Sequence, residues 1–373
     1  MKKSSVFYFF LLVFGIFFGF GCVEPTEFID LRATASAKDI PLSRLGRINV
    51  TAASDMPEDG IVLANSTGVG VASFNLQTTF EPMVLTDFCL ESVGGNSEAI
   101  NSVTVIFINR EGYTETATNY ITDDFVCFSD VEIPVPFRRS ARLYISIETA
   151  SSWFSFSGDT IRLNWSDHDV ESFGVRTGRA YDHRAVTDSV EGSTMIWHKT
   201  KPTISLNSGS PVGLGVPGFD DVLRFNMAAD ARGYVGFQWG EFSLVTHDYA
   251  GSGWNTCANL GDYEKWALYS TDDMSSDLVE SLVFIASDGS NCEDSPDLVL
   301  SLVIVTLIET EEVAAGSTIT YVLRGDTIDA SSFDDDTIQV TFANLGWQDD
   351  SSSEEFDGTH IHTLPLEGNE IYY

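Results

Sequence analysis

The feature that most constrains this chain is an internal repeat. Ile48-Asn49-Val50 returns as Ile204-Ser205-Leu206, and Phe74-Asn75-Leu76 as Phe225-Asn226-Met227. Asp159-Thr160-Ile161 returns as Asp336-Thr337-Ile338, and Glu191-Gly192 ahead of Met195-Ile196-Trp197 as Glu367-Gly368 ahead of Ile371-Tyr372-Tyr373. The order is kept, with offsets of 156, 151, 177 and 176, so most of the length difference between the copies lies between the second and third landmarks. Self-similarity on this scale predicts two copies of one domain placed end to end. Each copy, of about 150 to 170 residues, can bury roughly 70% of the surface its unfolded chain would expose, so neither needs a staple to fold.

Within the copies the pattern is that of strands. Val103 to Ile108, Leu143 to Ile147, Leu298 to Ile308 and Ile319 to Leu323 are rich in β-branched and aromatic residues, with Ser, Gly, Asn and Asp between them. Ile161, Leu163 and Trp165 alternate with Arg162 and Asn164, and Ile338, Val340 and Phe342 with Gln339 and Thr341, which places each set on one face of a strand. The best helical candidate is the stretch from Asn259 to Leu268. The expected fold is all-β, two tandem immunoglobulin-like β-sandwich domains. The expected divisions are 1–22 as a signal or anchor, 23–45 as a tether, 46–200 as the first sandwich and 201–373 as the second. The joint is short, His198-Lys199-Thr200-Lys201-Pro202, and permits limited bending only. Tyr373 falls at the end of the last repeated strand, where a further copy would begin.

The first residues read as an export signal, Lys2 and Lys3 followed by an apolar run from Val6 to Gly21. Gly21-Cys22 resembles the lipobox of bacterial lipoproteins, in which the Cys is lipidated; Gly19 and Phe20 depart from the residues usual before it. The alternative is an uncleaved helix anchor, since Val6 to Val23 approaches the roughly 20 residues that span a bilayer. Both readings export the remainder and hold it at the outer face of a bacterial membrane. The chain has five cysteines, an odd number that lipidation of Cys22 accounts for. Pairing within each copy, Cys89 with Cys127 and Cys257 with Cys292, is the simplest of the three connectivities. The first pair sits in strand-like runs and the second in Gly, Asn and Ser-rich loops, so two disulfides of separate origin are expected.

The net charge is -35. Residues 202–373 carry 30 acids against 4 bases, and residues 1–201 carry 25 against 16. Such a chain repels nucleic acid and anionic lipid. Nine of the 20 bases fall between Arg138 and Lys201, among them Arg138, Arg139, Arg142, Arg176, Arg179 and Arg184. A basic stretch in copy one and an acidic copy two favour a head-to-tail contact between molecules, a heterologous geometry able to propagate.

No Gly-x-Ser-x-Gly elbow, His-Glu-x-x-His or phosphate loop occurs, which favours a non-enzymatic reading. Calcium is the candidate cofactor. Hard cations take several oxygen ligands from loops, and Asp334, Asp335 and Asp336 form the leading acidic turn, specific to copy two. His360 and His362 are spaced to share a strand face. Trp254, within Gly251-Ser252-Gly253-Trp254-Asn255, is the first choice for an exposed ring that would stack on a sugar.

The joint Lys199-Thr200-Lys201-Pro202, the Phe-Asn strand and the late Asp-Thr-Ile strand resemble the tandem immunoglobulin-like repeats of large bacterial cell-surface proteins, over about residues 46–373. That resemblance implies an adhesive or structural role and transfers no site. The expected function is a surface-anchored lipoprotein acting as a stalk, an adhesin or part of a surface assembly, with self or other surface proteins as partners. A glycan-binding accessory protein using loop aromatics is the alternative, and a secreted hydrolase the third reading.

Overall fold

A computed structural model describes residues 46–373 apart from 96, 152–155, 182–188, 250, 331–335, 350–351 and 353. The signal, the tether and Cys22 lie outside the described residues. The described residues form one compact unit, all-β in character and built as two tandem immunoglobulin-like sandwiches.

In the first sandwich one sheet runs β1 (Ile48–Ala52), β3 (Val69–Thr78), β9 (Ala141–Thr149), β5 (Ile100–Ile108), β6 (Thr114–Asn119). The facing sheet runs β12 (Ala180–Tyr181), β11 (Glu171–Gly174), β4 (Met83–Val93), β10 (Thr160–Trp165), β13 (Met195–His198), β2 (Gly60–Leu63), and β7 (Phe125–Phe128) and β8 (Ile133–Val135) also pair with the long strand β4. The second sandwich sets β14 (Pro202–Leu206), β16 (Phe219–Ala229), β21 (Thr318–Asp326) and β18 (Trp266–Ser270) against a larger sheet. That sheet runs β15 (Gly213–Leu214), β24 (Leu366–Tyr372), β22 (Thr337–Asp349), β17 (Val235–His247), β20 (Leu300–Val313), β19 (Val279–Ala286), with β23 (Phe356–Asp357) beside the end of β22.

The repeat is visible in the ladders. Ile161 pairs with Met195 and Ile338 with Ile371; the Trp197 amide donates to the Asp159 carbonyl and the Tyr373 amide to that of Asp336, both at 2.8 Å. Gly192 and Gly368 do the same work, since a Cβ would come within 2.2 Å of the Leu163 carbonyl oxygen in one copy and 2.5 Å of that of Val340 in the other. One landmark moves. Leu76 pairs with Val50 and Met227 with Ile204, so Ile204 corresponds to Val50, two residues on from Ile48. Ile48 and Val50 are both buried on the same face of β1, and a period-2 pattern cannot fix register between two inward residues of one strand.

The copies part company after β5 and β18. In the first, β6 stays beside β5 in the same sheet; in the second, β19 crosses to pair with β20 in the facing sheet. The segment expected to be helical is a single turn at Cys257–Leu260 (α1), a 3-10 turn at Tyr263–Lys265, and then strand β18. Trp266 and Leu268 belong to that strand and are buried in the core. Both cores centre on aromatic contacts at matching places, Phe74 against Trp165 at 6.3 Å and Phe225 against Phe342 at 4.5 Å.

Candidate functional site

Cys89 and Cys127 face each other across the β4–β7 ladder and are bridged, with Cα atoms 4.0 Å apart. Cys257 at the start of α1 is bridged to Cys292 in the turn after β19, with Cα atoms 5.2 Å apart. One bridge lies within a sheet and the other ties an inserted loop to a hairpin end, so their settings are not equivalent. Beside the first bridge runs an open cleft whose rim carries Asp87, Asp169 and Glu171. Among the described residues no three His, Cys, Asp or Glu side chains come together to hold a metal ion.

The exposed-ring reading of Trp254 is overturned. Its side chain is 1% exposed and packs edge-to-face on Tyr373 at 6.2 Å. The Gly-rich segment does not dangle, because the Asp248 carboxylate accepts from the Ser252 and Gly253 amides and the Cys257–Cys292 bridge pins the segment that follows. Asp334 and Asp335 lie outside the described residues. Asp336 is buried, and its Oδ1 accepts from the Tyr249 amide at 2.8 Å, holding the start of that same loop. His360 and His362 lie in turns rather than on a strand.

The most chemically specific constellation is the joint. His198 and Thr200, which read as a polar linker, are 2% and 0% exposed. The His198 ring lies 4.9 Å from that of Trp347 and 4.5 Å, edge-on, from that of Phe356, and its Nδ1 is 3.7 Å from Asp349 Oδ2. Asp349 is wholly buried; the same oxygen accepts from the Lys199 amide at 3.1 Å and from the Ser157 hydroxyl. Thr200 Oγ1 donates to the Gly233 carbonyl at 3.1 Å. Strands from both sandwiches therefore converge on one buried carboxylate.

A bulge puts that carboxylate there. Ile338, Val340 and Phe342 face inward at even positions, but the β17–β22 register shifts at Glu241/Phe242, and beyond it Leu345, Trp347 and Asp349 face inward at odd ones. One extra residue in a strand reverses its facing. On the β2 edge of the first sandwich, Ile61 packs against the core of the second, and Gly60 lies so close to His362 that a Cβ would meet its Nε2 at 2.9 Å.

The opposite end of the first sandwich gathers arginine. The turn between β3 and β4 is flanked by the approach to β9, where the Arg138 amide donates to the Thr78 carbonyl, and by the turn after β11, where the Val175 amide donates to that of Pro82. Glu81, 6% exposed, holds the second flank. It accepts from the Arg176 and Thr177 amides, both at 3.1 Å, from Thr177 Oγ1 at 2.8 Å and from the Tyr181 hydroxyl at 3.0 Å. Arg138, Arg139, Arg176 and Arg179 are exposed around this turn together with Phe80 and Val175. Of the other bases expected to form a basic stretch, Arg142 pairs with Asp55 and Arg162 with Glu191, while Arg184 lies outside the described residues.

No protein-family model and no curated protein matches the chain. Among solved structures it is similar to one described as "BspA_C_mut", at 8% identity and a TM-score of 0.22, over 88% of this chain and 99% of that one. The CupB6 tip adhesin from Pseudomonas aeruginosa gives 8% and 0.21, over 88% and 99%. A putative membrane anchored protein from Corynebacterium diphtheriae gives 8% and 0.20, over 88% and 95%. Scores this low add nothing to the fold read from the strands themselves.

Proposed function

We propose that this chain is a non-enzymatic surface module, exported and held at the outer face of a bacterial membrane through Cys22, in which two sandwiches act as one mechanically coupled body. The observation that carries this reading is the buried joint. A flexible tether between independent binding domains would leave its polar residues in water, whereas here His198, Thr200 and Asp349 are buried and share partners across the boundary. Burying a carboxylate costs several kcal/mol unless it is well supplied with donors, and it fixes the relative placement of the groups that donate to it. That suits a part that transmits or bears load.

Two measurements test the proposal. Cells making the Cys22→Ser chain are expected to incorporate no labelled fatty acid into it and to shed it; retention at the membrane would favour the uncleaved helix instead. Cells lacking the chain are expected to lose attachment to surfaces or to one another. Unchanged attachment together with turnover of a substrate by the purified chain would overturn the structural reading.

A further inference from the structure

The two sandwiches expose the same edge, and only one of these edges is covered. In the first, β2 runs parallel to β13 with Ile61 opposite Ile196; in the second, β15 runs parallel to β24 with Leu214 opposite Tyr372. Because Ile196 corresponds to Tyr372, Ile61 corresponds to Leu214. Ile61 packs against the second sandwich, whereas Leu214 is 88% exposed. Two residues further on, Leu63 is 9% exposed and Val216 is 73%. Tyr249 and Ile328, at the same end, are also exposed. An edge strand with bare apolar side chains is a surface that proteins ordinarily cover.

We infer that the far end of the second sandwich, where Leu214 and Val216 are exposed, is capped by the arginine-bearing end of the first sandwich of a second copy of this chain, so that molecules join head to tail in the manner of the chain's own joint. Three observations select this occupant. In the chain's own joint the head of the second sandwich meets the first, with Arg232 of the β16–β17 turn reaching the Ser66 hydroxyl at 3.5 Å and His362 of the turn after β23 lying against Gly60 beside Ile61. The matching parts of the first sandwich are the β3–β4 turn and the start of β1, where Arg47 stands in the place of Lys201. Charge is complementary. Arg138, Arg139, Arg176 and Arg179 form no ion pair among the described residues, while the far end of the second sandwich presents Asp220 and Asp329, both exposed. The bases near that end are already engaged, Arg224 and Arg324 by Asp221 and Lys265 by Asp326. Both ends also carry exposed apolar residues, Phe80 and Val175 on one and Leu214 and Val216 on the other. A contact between two different patches leaves both end patches free on the product, so it propagates into an open array.

The inference rests on the structural reading above and names its partner. It is tested by sedimentation of the full chain in a nonionic detergent. Wild type is expected to associate with rising concentration and to dissociate with rising salt. Arg138→Glu/Arg139→Glu and Asp220→Arg/Asp329→Arg should each weaken self-association by at least about tenfold, since like charges then face each other. Mixing the two variants should restore association, because each then offers the other a complementary end. Melting curves matching wild type would show that both variants fold. A wild type that stays monomeric at all concentrations, reversed variants that associate as before, or a mixture that fails to recover would each overturn the inference. A monomeric chain that still supports attachment of cells would remove the array and leave the structural function standing.

Discussion

Two buried side chains show how a single group can work for or against this fold. Glu81 gives its two oxygens to four donors, three from the turn that carries Arg176 and Arg179 and the fourth the Tyr181 hydroxyl on β12. Glu81→Ala should cost about 2–3 kcal/mol, since buried donors are left without an acceptor. The amides of Arg176 and Thr177 should lose hydrogen-exchange protection first; unchanged protection would show that the turn stands without it. Tyr321 is the opposite case, with its ring stacked on Phe225 at 5.4 Å and its hydroxyl buried without a partner among the described residues. Tyr321→Phe should be neutral or stabilising by up to about 1 kcal/mol in denaturant titrations. Burial, and secondarily Glu311 and Asp272, raises the Tyr321 pKa above the ordinary tyrosine value. The folded state therefore holds this proton more tightly than the unfolded one, and the contribution is complete below pH 10 and falls away as the pH climbs above it. Wild type should lose stability above pH 10 more steeply than Tyr321→Phe. Parallel slopes would assign the alkaline loss to Tyr144, Tyr372 and Tyr373, whose values are also raised.

At the scale of elements, the repeat was legible where identity of side chain meant identity of job. Gly192 and Gly368 recur because a last strand must pass over the carbonyl of the neighbouring strand in both copies. Replacing either by Ala should destabilise by about 1–3 kcal/mol, the usual cost of overpacking a site that cannot yield, and Ser at a neighbouring exposed position should not. Equal melting of Gly192→Ala and wild type would contradict the close approach. The cysteine pairs were legible too, since each joins residues that the strand pattern had already placed in one copy. Removing Cys89 and Cys127 together should cost up to roughly 4 kcal/mol in the chain-entropy picture. Three features were not legible, for one physical reason. The crossing of β19 to the facing sheet, the burial of Trp254 and the inward turn of Asp349 each depend on partners distant in sequence. A Gly-Ser-Gly segment looks the same whether it floats or is pinned, and here an aspartate and a disulfide pin it. A bulge of one residue carries no composition signature, yet it decides which half of β22 faces the core.

The joint sets the scale of the whole molecule. Because Asp349 accepts from the Ser157 hydroxyl and the Lys199 amide and lies 3.7 Å from His198 Nδ1, the first sandwich cannot unfold without stripping partners from a buried carboxylate of the second. That shared penalty should make the two sandwiches melt as one cooperative unit despite having separate cores. Asp349→Ala removes the acceptor shared by the Ser157 hydroxyl and the Lys199 amide, leaving the amide its longer bond to Ser157 Oγ, at a cost of about 1–3 kcal/mol. The loss falls on the coupling between the sandwiches more than on either core. Calorimetry should therefore show one transition in wild type and two in Asp349→Ala. In variants that keep a single tryptophan, fluorescence of Trp165 in the first core should then separate from that of Trp254 in the second. A single transition in the variant, merely moved to lower temperature, would mean that the apolar contacts of Ile61 and Phe356 couple the sandwiches unaided. The residue to change next would then be Ile61, whose counterpart Leu214 stands bare at the far end of the molecule.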